Sequence, residues 1–407
     1  MNGVRDYATI TGAYWVFTLT DGALRMLVLF HLHALGFSPL EVVSLFVFYE
    51  LFGVVTNFVG GWIGARFGLE RTLFAGLILQ IAACGMLAQW AAALTVPLVM
   101  TAQAVSGIAK DLTKMSAKSY IKLVVPAGDR SRLMRWVAVL TGSKNALKGV
   151  GFFLGGLLLQ TVGFARANQS MAGALAIALV ACAMLLPAAS GKAGKAIELR
   201  HLLTKDPRIN WLSAARMFLF GSRDVWFVFA LPVFLNTSLG WTTTGSGAFL
   251  ACWVIGYGIV QAASPRLVAK HPDARHVGVW TALLLLPLGG IASALVLDAA
   301  AATTLTIGLA LFGIVFAANS AMHSYLIVHY AEQDRVSLNV GFYYSANAMG
   351  RLVGTVLSGA TFQWAGMGAE GLVACIGVSA AFVVGAAILT IPLRRAELAN
   401  GADLSVS

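Results

Sequence analysis

Long uncharged runs recur along the chain and are separated by short polar connections; LILQIAACGMLA, residues 77–88, is representative. A run of about 20 apolar residues is long enough to cross the hydrocarbon core of a bilayer as a helix. The sequence therefore predicts an all-α, polytopic membrane protein. Twelve such segments are centred near residues 20, 53, 82, 108, 149, 178, 222, 254, 287, 315, 351 and 381.

One connection is much longer than the others. The polar stretch 191–208, GKAGKAIELRHLLTKDPR, separates six segments from six. We therefore predict an N-terminal six-helix bundle over 1–190, a cytoplasmic linker over 191–208 and a C-terminal six-helix bundle over 209–407.

Short words recur in the same order in the two halves. KSYI (118–121), DR (129–130) and SKNA (143–146) are followed by HSYL (323–326), DR (334–335) and SANA (345–348). Six spans duplicated in the same orientation predict two pseudo-symmetric bundles related by an axis along the membrane normal.

Lysine and arginine are concentrated in alternate connections, while the connections on the opposite side hold Arg166 alone. Because basic residues are retained on the cytoplasmic side, both termini are predicted to be cytoplasmic. The basic residues are Arg66, Arg71, Arg130, Arg132, Arg135, Lys192, Lys195, Arg200, Lys205, Arg208, Arg266, Lys270, Arg275 and Arg335 in connections, with Arg5, Arg394 and Arg395 near the ends.

Composition agrees with a membrane protein and excludes other classes. Only 11% of the 407 residues are charged, against roughly 25% in soluble domains. The net charge of +11 would suit nucleic acid, but the long uncharged runs exclude a soluble basic domain, so no nucleic-acid partner is expected. Soluble-enzyme motifs are not found, and no enzymatic activity is expected. The cysteines, each alone in an apolar segment, predict no metal site and no cofactor: Cys84, Cys182, Cys252 and Cys375.

Ten basic and four acidic side chains nevertheless fall inside the predicted spans, an excess of six positive charges. A charged side chain at the bilayer centre costs about 2.5–3.5 kcal/mol on insertion scales, so these side chains are expected to face a water-filled interior. They are confined to spans 1, 2, 4, 5, 7 and 11. Lys110, Lys114 and Lys118 share one helix face.

This charge predicts a binding site for an anion. Lys148 and Arg351 occupy near-equivalent places in the two repeats, well inside the membrane. Transporters built from such repeats bind their substrates near the bilayer midplane. We expect acidic residues to pair with unoccupied cations or to carry coupling protons: Asp21, Glu50, Asp111 and Asp224. We expect substrate contacts from Arg25, Lys110, Lys114, Lys144, Lys148, Arg223, Arg351, Asn319 and Asn347.

Simpler roles remain open for several of these residues. Lys118, Lys122 and Arg216 lie near span ends and are as well explained by side chains that extend to the headgroups. Asn319 and Asn347 are more often interhelical hydrogen-bond partners than ligand contacts. Ion pairing alone is an alternative for cations next to an acid on the same helix, such as Lys110 and Arg223.

The connection GWIGARFGLER, residues 61–71, resembles the loop motif of the major facilitator superfamily, G-x-L-a-D-R-x-G-r-x-[KR]. Gly61, Arg66, Gly68 and Arg71 match the motif, and the resemblance implies a gating role for them. Ala65 replaces the motif's aspartate, so a charge relay through that position is not expected.

Longer strings resemble one branch of that superfamily, the organoarsenical efflux permeases of the ArsJ type: LTDGALRMLVLFH (19–31), SGIAKDLTKMSAKS (106–119), LTGSKNALKGVGFFLGG (140–156), SAARMFLFGSRDVWFV (213–228) and WVIGYGIVQA (253–262). The resemblance implies export of 1-arseno-3-phosphoglycerate across a bacterial inner membrane. It also implies arsenate resistance and a functional link to a glyceraldehyde-3-phosphate dehydrogenase that forms the ester.

The charge pattern by itself indicates only a transporter of a small multivalent anion that works by alternating access. Two alternatives stay open. One is an organophosphate:phosphate antiporter with the same cationic site, and the other, from a different class, is an anion channel.

Overall fold

The computed structural model describes residues 3–34, 47–126, 128–186, 206–241, 243–297 and 301–406, and these are almost entirely helical. The predicted all-α class with twelve membrane-crossing segments is confirmed. The described helices are α1 (Gly3–Ala34), α2 (Val47–Phe67), α3 (Leu69–Gln89), α4 (Val96–Val124), α5 (Arg130–Leu185), α6 (Pro207–Phe227), α7 (Ala230–Thr237), α8 (Thr243–Ala263), α9 (Ala274–Leu283), α10 (Leu285–Val296), α11 (Ala301–Tyr330), α12 (Val336–Trp364) and α13 (Ala369–Val406).

Several helices are interrupted at positions where one predicted span turns into the next or where a span bends. α5 has 56 residues, enough for two crossings, and it is interrupted at Gly163, whose φ is 78°. Only glycine adopts that conformation without steric cost, so predicted spans 5 and 6 turn there. α9 and α10 form one span with a break at Leu284, just before Pro287, which has no backbone N–H to continue the helix. α6 and α7 form another broken span.

Polar residues of the short connections start several helices. Asp129 accepts a hydrogen bond from the backbone N–H of Arg132 at the start of α5, and Asp206 does the same for Arg208 in α6. Asp273 caps α9 by accepting from the N–H of His276. Each carboxylate satisfies an amide that the first helical turn leaves without a partner.

Seven helical segments in the described ranges are long and apolar enough to cross a membrane by composition alone. α1, α2, α4 and α12 are not among them. These four helices carry most of the charged residues within the spans, including the lysines of α4 and Arg351 of α12. Such helices are stable in a bilayer only if their polar faces are covered by protein or water.

The helices form two compact units, 1–203 with 331–345 and 204–330 with 346–407. In the first unit α1 packs on α5, α2 on α4, and α3 on both α4 and α5. In the second unit α13 packs on α6 and α9, and α11 on α8, α9 and α10. The second unit has an aromatic core around Trp226, whose ring meets Phe312 edge to face at 5.1 Å. Residues 191–205 of the predicted linker lie outside the described residues.

Glycines let α1 and α5 approach closely in the first unit. A Cβ atom at Gly151 would lie 2.6 Å from the carbonyl oxygen of Leu19, and one at Gly155 would lie 2.3 Å from that of Ala23. Gly22 faces the backbone of Lys148 in the same contact. Gly151 and Gly155, one helical turn apart, therefore serve close packing within this unit.

The second unit repeats this arrangement between α6 and α12. A Cβ atom at Gly350 would lie 2.0 Å from the carbonyl oxygen of Met217, and one at Gly354 would lie 2.6 Å from that of Gly221. The duplicated sequence thus produces the same kind of contact in each unit.

Replacing these glycines is expected to destabilise the protein. Gly155→Ala and Gly350→Ala each push a methyl group into backbone and should cost about 1–3 kcal/mol, measured as a lower melting temperature in detergent. Gly173→Ala is the matched control, because a Cβ atom there meets nothing within 4 Å. Because alanine is the better helix former, Gly173→Ala should raise the free energy of unfolding by a few tenths of a kcal/mol, up to about 1 kcal/mol. Equal melting temperatures for all three variants would contradict the close packing.

Candidate functional site

Asp111 is the centre of a charged cluster on α4 in the first unit. Its side chain is 1% exposed, and its Oδ1 lies 2.5 Å from Nζ of Lys114, one helical turn away. Oδ2 lies 3.7 Å from Nζ of Lys110. One buried carboxylate is therefore shared by two lysines that are themselves only partly exposed. We call these three residues the Asp111 triad.

Lys118 extends this cluster and is itself buried. Its Nζ donates a hydrogen bond to the hydroxyl oxygen of Tyr344 at 2.8 Å and lies 3.5 Å from Oγ1 of Thr141. Lys114 Nζ lies 4.4 Å from the centre of the same tyrosine ring. An aromatic face attracts a cation by its quadrupole, so Tyr344 stabilises two lysines at once. The alternative that Lys118 extends to the headgroups is wrong, because only 2% of the residue is exposed.

Asp224 is the centre of a second cluster, in the second unit. Its Oδ1 lies 2.5 Å from Nη2 of Arg223, and its Oδ2 accepts a hydrogen bond from Nε of Arg351 at 3.1 Å. The carboxylate is 1% exposed. We call these three residues the Asp224 triad. Unlike the Asp111 triad, it joins two helices, α6 and α12.

Arg216 lies seven residues before Arg223 on α6. Only 3% of the residue is exposed, so it too is buried rather than extended to the headgroups. Its Nε donates to Oδ1 of Asn347 at 2.9 Å, and its Nη1 donates to Oγ of Ser320 at 3.0 Å. The guanidinium lies 3.8 Å from the centre of the Phe220 ring. Gln261 Nε2 donates to the same serine hydroxyl at 3.1 Å.

Two members of the Asp224 triad, Asp224 and Arg351, have counterparts in the first half of the repeat, Asp21 and Lys148. Asp21 and Asp224 are 203 residues apart, and Lys148 and Arg351 are also 203 residues apart. Arg351 pairs with Asp224 in the second unit. In the first unit the residue after Asp21, Gly22, abuts the backbone of Lys148. The repeat thus places an acid on the first helix of each unit beside a cation on the fifth.

The remaining predicted residues are distributed as follows. Arg25, Lys144 and Lys148 are half-buried on α1 and α5. Asn319 is fully buried and donates to Oγ1 of Thr281 at 2.8 Å, which is the interhelical hydrogen bond that the sequence left open as an alternative. Glu50 lies on α2, but its side chain is outside the part of the chain that the structure describes.

The loop-motif residues pack at the end of α2. The backbone oxygen of Gly61 accepts from Oγ of Ser337 at 2.8 Å. Arg66 lies 5.2 Å from the centre of the Trp62 ring, and Gly68 has φ 103°, as the tight turn into α3 requires. Arg71 is exposed.

Ala65, which replaces the acidic residue of the loop motif, is 1% exposed and packs with Leu338 and Trp62. An apolar contact therefore stands where the motif carries a charge.

Sequence reasoning missed the neutral partners of the buried cations. Lys118 is contacted by Tyr344 and Thr141, and Arg216 is contacted by Ser320 and Phe220. Tyr344 directly precedes the repeated word SANA, which was the available signal. Among the described side chains no group of three His, Cys, Asp or Glu residues is placed to hold a metal ion.

Comparison with known proteins establishes the family. The Major Facilitator Superfamily model matches residues 10–272. The chain therefore belongs to the major facilitator superfamily, whose members are secondary transporters rather than enzymes. A sequence comparison with curated proteins gives no match.

Solved structures show the same fold at low sequence identity. A bacterial homologue of the iron transporter ferroportin in its outward-facing state has a TM-score of 0.77 and 16% identity, covering 95% of this chain and 99% of its own. The human organic anion transporter MFSD10 (TETRAN) has a TM-score of 0.77 and 14% identity, covering 96% and 100%. The E. coli fucose:proton symporter FucP has a TM-score of 0.70 and 11% identity, covering 96% and 99%.

Removing a shared carboxylate should destabilise its unit. Asp224→Asn leaves two guanidinium groups without their charged partner, and we expect a loss of about 2–3 kcal/mol in the free energy of unfolding. This is less than for a fully buried pair, because the Arg351 side chain is 31% exposed. Adding Arg351→Gln should recover part of the loss, which a double-mutant cycle measures.

Asp129→Asn is the matched control for this cycle. Asp129 pairs with Arg132 at the surface, and asparagine caps a helix as well as aspartate, so the change should stay below about 1 kcal/mol. Strictly additive effects of Asp224→Asn and Arg351→Gln would argue against the shared pairing.

Proposed function

We propose that this secondary transporter exports a small multivalent organic anion by alternating access, and that 1-arseno-3-phosphoglycerate is its substrate. The observation that carries the proposal is the composition of the two triads: in each, two cations share one buried carboxylate. The resemblance of five long strings to organoarsenical efflux permeases supports the identity of the anion.

The carboxylates allow this site to exist without substrate. Two cations in a medium of low dielectric repel each other strongly, and a shared aspartate compensates for much of that repulsion. An arriving phosphate or arsenate group offers more oxygen atoms and more negative charge than one carboxylate. It therefore competes with Asp111 or Asp224 for the same cations, and the protein does not have to bury further cations for it to bind.

The two triads differ in how they hold an oxyanion. Arg223 and Arg351 present planar guanidinium groups that bind two oxygens in a fork, whereas Lys110 and Lys114 act as point charges. A substrate with one phosphate, one arsenate ester and one hydroxyl carries two anionic groups.

The chemistry favours pentavalent over trivalent arsenic. Arsenite is neutral at pH 7 and would not need a cationic interior. An arsenate ester has no need of thiol ligands, and three of the four cysteines in the described structure are buried as free thiols. The thiol of Cys252 is exposed but lies alone in its segment.

The proposed transport takes place across a bacterial inner membrane and is driven by the membrane potential or by a proton gradient. Basic connections favour cytoplasmic termini in a bacterial inner membrane. An inside-negative potential then drives net negative charge outward by about 2.3 kcal/mol per charge per 100 mV. Uniport and proton antiport are both consistent with this, with Asp21, Glu50, Asp111 and Asp224 as proton carriers in the second case. Gly61, Arg66, Gly68 and Arg71 would form the gating loop.

Lys148 and Arg351 provide the sharpest test of the cationic site. Lys148→Gln and Arg351→Gln should each reduce the initial rate of export at least tenfold and abolish arsenate resistance in cells. Arg351→Lys should keep part of the rate, because it retains the charge and loses the fork. The matched control is Arg166→Gln, an exposed arginine in a connection.

All four variants are compared at equal amounts of protein in the membrane fraction. Wild-type export by either glutamine variant would remove that residue from the site. Loss of export in Arg166→Gln as well would indicate a general effect of removing positive charge.

Substrate identity is tested with everted membrane vesicles. Uptake of the arsenate ester should saturate, should exceed uptake of 3-phosphoglycerate, and should show trans-stimulation by ester inside the vesicles. The measurement is made with and without a proton gradient, which distinguishes antiport from uniport.

Each alternative has its own result in this assay. Stimulation by internal inorganic phosphate together with equal uptake of 3-phosphoglycerate would identify an organophosphate:phosphate antiporter. Uptake that does not saturate and shows no trans-stimulation would identify an anion channel. Transport of the ester that matches vesicles without the protein would refute the proposed substrate.

A further inference from the structure

A groove of about 410 Å³ lies between α9 and α13 of the second unit, and no residue of either triad lines it. It combines three arginines with an apolar wall. The arginines are Arg275, Arg394 and Arg395, and the apolar wall is formed by Val279, Ile391 and Leu398.

The apolar wall of this groove is exposed to a degree that water would not favour. Val279 and Ile391 are each 54% exposed and Leu398 is 65% exposed. The groove is closed on its inner side, where a Cβ atom at Gly278 would lie 2.7 Å from Oγ1 of Thr390. The wall therefore faces outward, toward the surroundings of the protein.

The three arginines, Arg275, Arg394 and Arg395, are exposed and form no ion pair with the described residues. The nearby carboxylates have other partners. Glu397 accepts hydrogen bonds from the hydroxyl of Tyr330 and from the backbone N–H of Ala274, the latter at 2.9 Å. Asp273 binds the N–H and the ring of His276.

The start of α9 is therefore already satisfied by Glu397 and Asp273, and the groove's positive charge comes from guanidinium groups rather than from free amides. Burial works to raise the pKa of Asp273, but its hydrogen bonds with His276 outweigh this and hold the pKa below its usual value. The groove keeps its positive charge at neutral pH because its three arginines stay protonated.

The groove sits where a span ends. α9 begins at Ala274, and the long apolar run of α13 ends just before Arg394. Spans 9 and 12 carry no charged residue within their apolar segments, as is typical of helices that face lipid. Arginines at such a boundary lie level with phospholipid headgroups, and the apolar residues beside them lie level with the acyl chains.

We propose that this groove binds an anionic phospholipid, with the headgroup phosphate on Arg275, Arg394 and Arg395 and an acyl chain along Val279 and Ile391. Free inorganic phosphate shares the headgroup chemistry but has nothing to place on the apolar wall. The proposal does not depend on which anion the protein transports.

Native mass spectrometry of the full chain in detergent tests this binding. Phosphatidylglycerol is compared with phosphatidylcholine of identical acyl chains, so that only the headgroup charge differs. The wild-type protein should retain phosphatidylglycerol in preference to phosphatidylcholine. The variant with Arg275→Gln, Arg394→Gln and Arg395→Gln should lose roughly 30- to 100-fold in affinity for it.

Two controls separate this site from charge in general and from misfolding. Arg130→Gln, Arg135→Gln and Arg266→Gln together remove three exposed arginines outside the groove and should leave the retention unchanged. Arg394→Gln alone keeps two of the three cations and should give an intermediate loss, so the test stands even if the triple variant does not fold.

The source of the phosphate is distinguished by competition. Millimolar inorganic phosphate should not displace phosphatidylglycerol, whereas Ile391→Ser combined with Val279→Ser should weaken its retention. Displacement by inorganic phosphate with no effect of the two serine substitutions would identify a free-phosphate site and overturn the lipid proposal. Equal retention of the two lipids by the wild-type protein, or full retention by a folded triple variant, would also overturn it.

Discussion

A carboxylate shared by two cations is the interaction on which the interior of this protein depends. Ten basic side chains lie within spans that hydrocarbon would otherwise surround, against four acidic ones. Asp111 and Asp224 let two cations each remain inside without leaving either acid exposed. Neutral groups stabilise two further buried cations. The Tyr344 hydroxyl accepts a hydrogen bond from Lys118, and the side-chain amide oxygen of Asn347 accepts one from Arg216.

The two units reach this result by different routes. The Asp111 triad lies on α4 alone, so its geometry is fixed by the helical repeat. The Asp224 triad joins α6 to α12, which approach closely at Gly350 and Gly354. An oxyanion that takes Arg351 from Asp224 would therefore weaken a joint between helices, whereas one that binds Lys110 or Lys114 would not. The Asp224 carboxylate is therefore coupled directly to the packing of α6 and α12.

Glycine and charge act together in both units. The helices that carry cations are too polar to be held by lipid, so they are held by close backbone contact, α1 on α5 and α6 on α12. Within each unit the more apolar helices pack against these helices, α3 on α4 and α5 and α13 on α6. Arginines on spans 9 and 12 are confined to the ends, where three of them line the groove between α9 and α13.

The sequence by itself determined the all-α class, the twelve spans, the repeat and the helices that carry charge. These properties are local, since a run of apolar residues and a word repeated at a fixed distance need no knowledge of neighbours. The interaction partners of the charged and polar side chains could not be predicted from the sequence. Arg351 meets Asp224 from 127 residues away, and Lys118 meets Tyr344 from 226 residues away. Asn319 meets Thr281 on another helix. Only the tertiary structure decided these contacts, because the depth and direction of a side chain depend on which helices pack together.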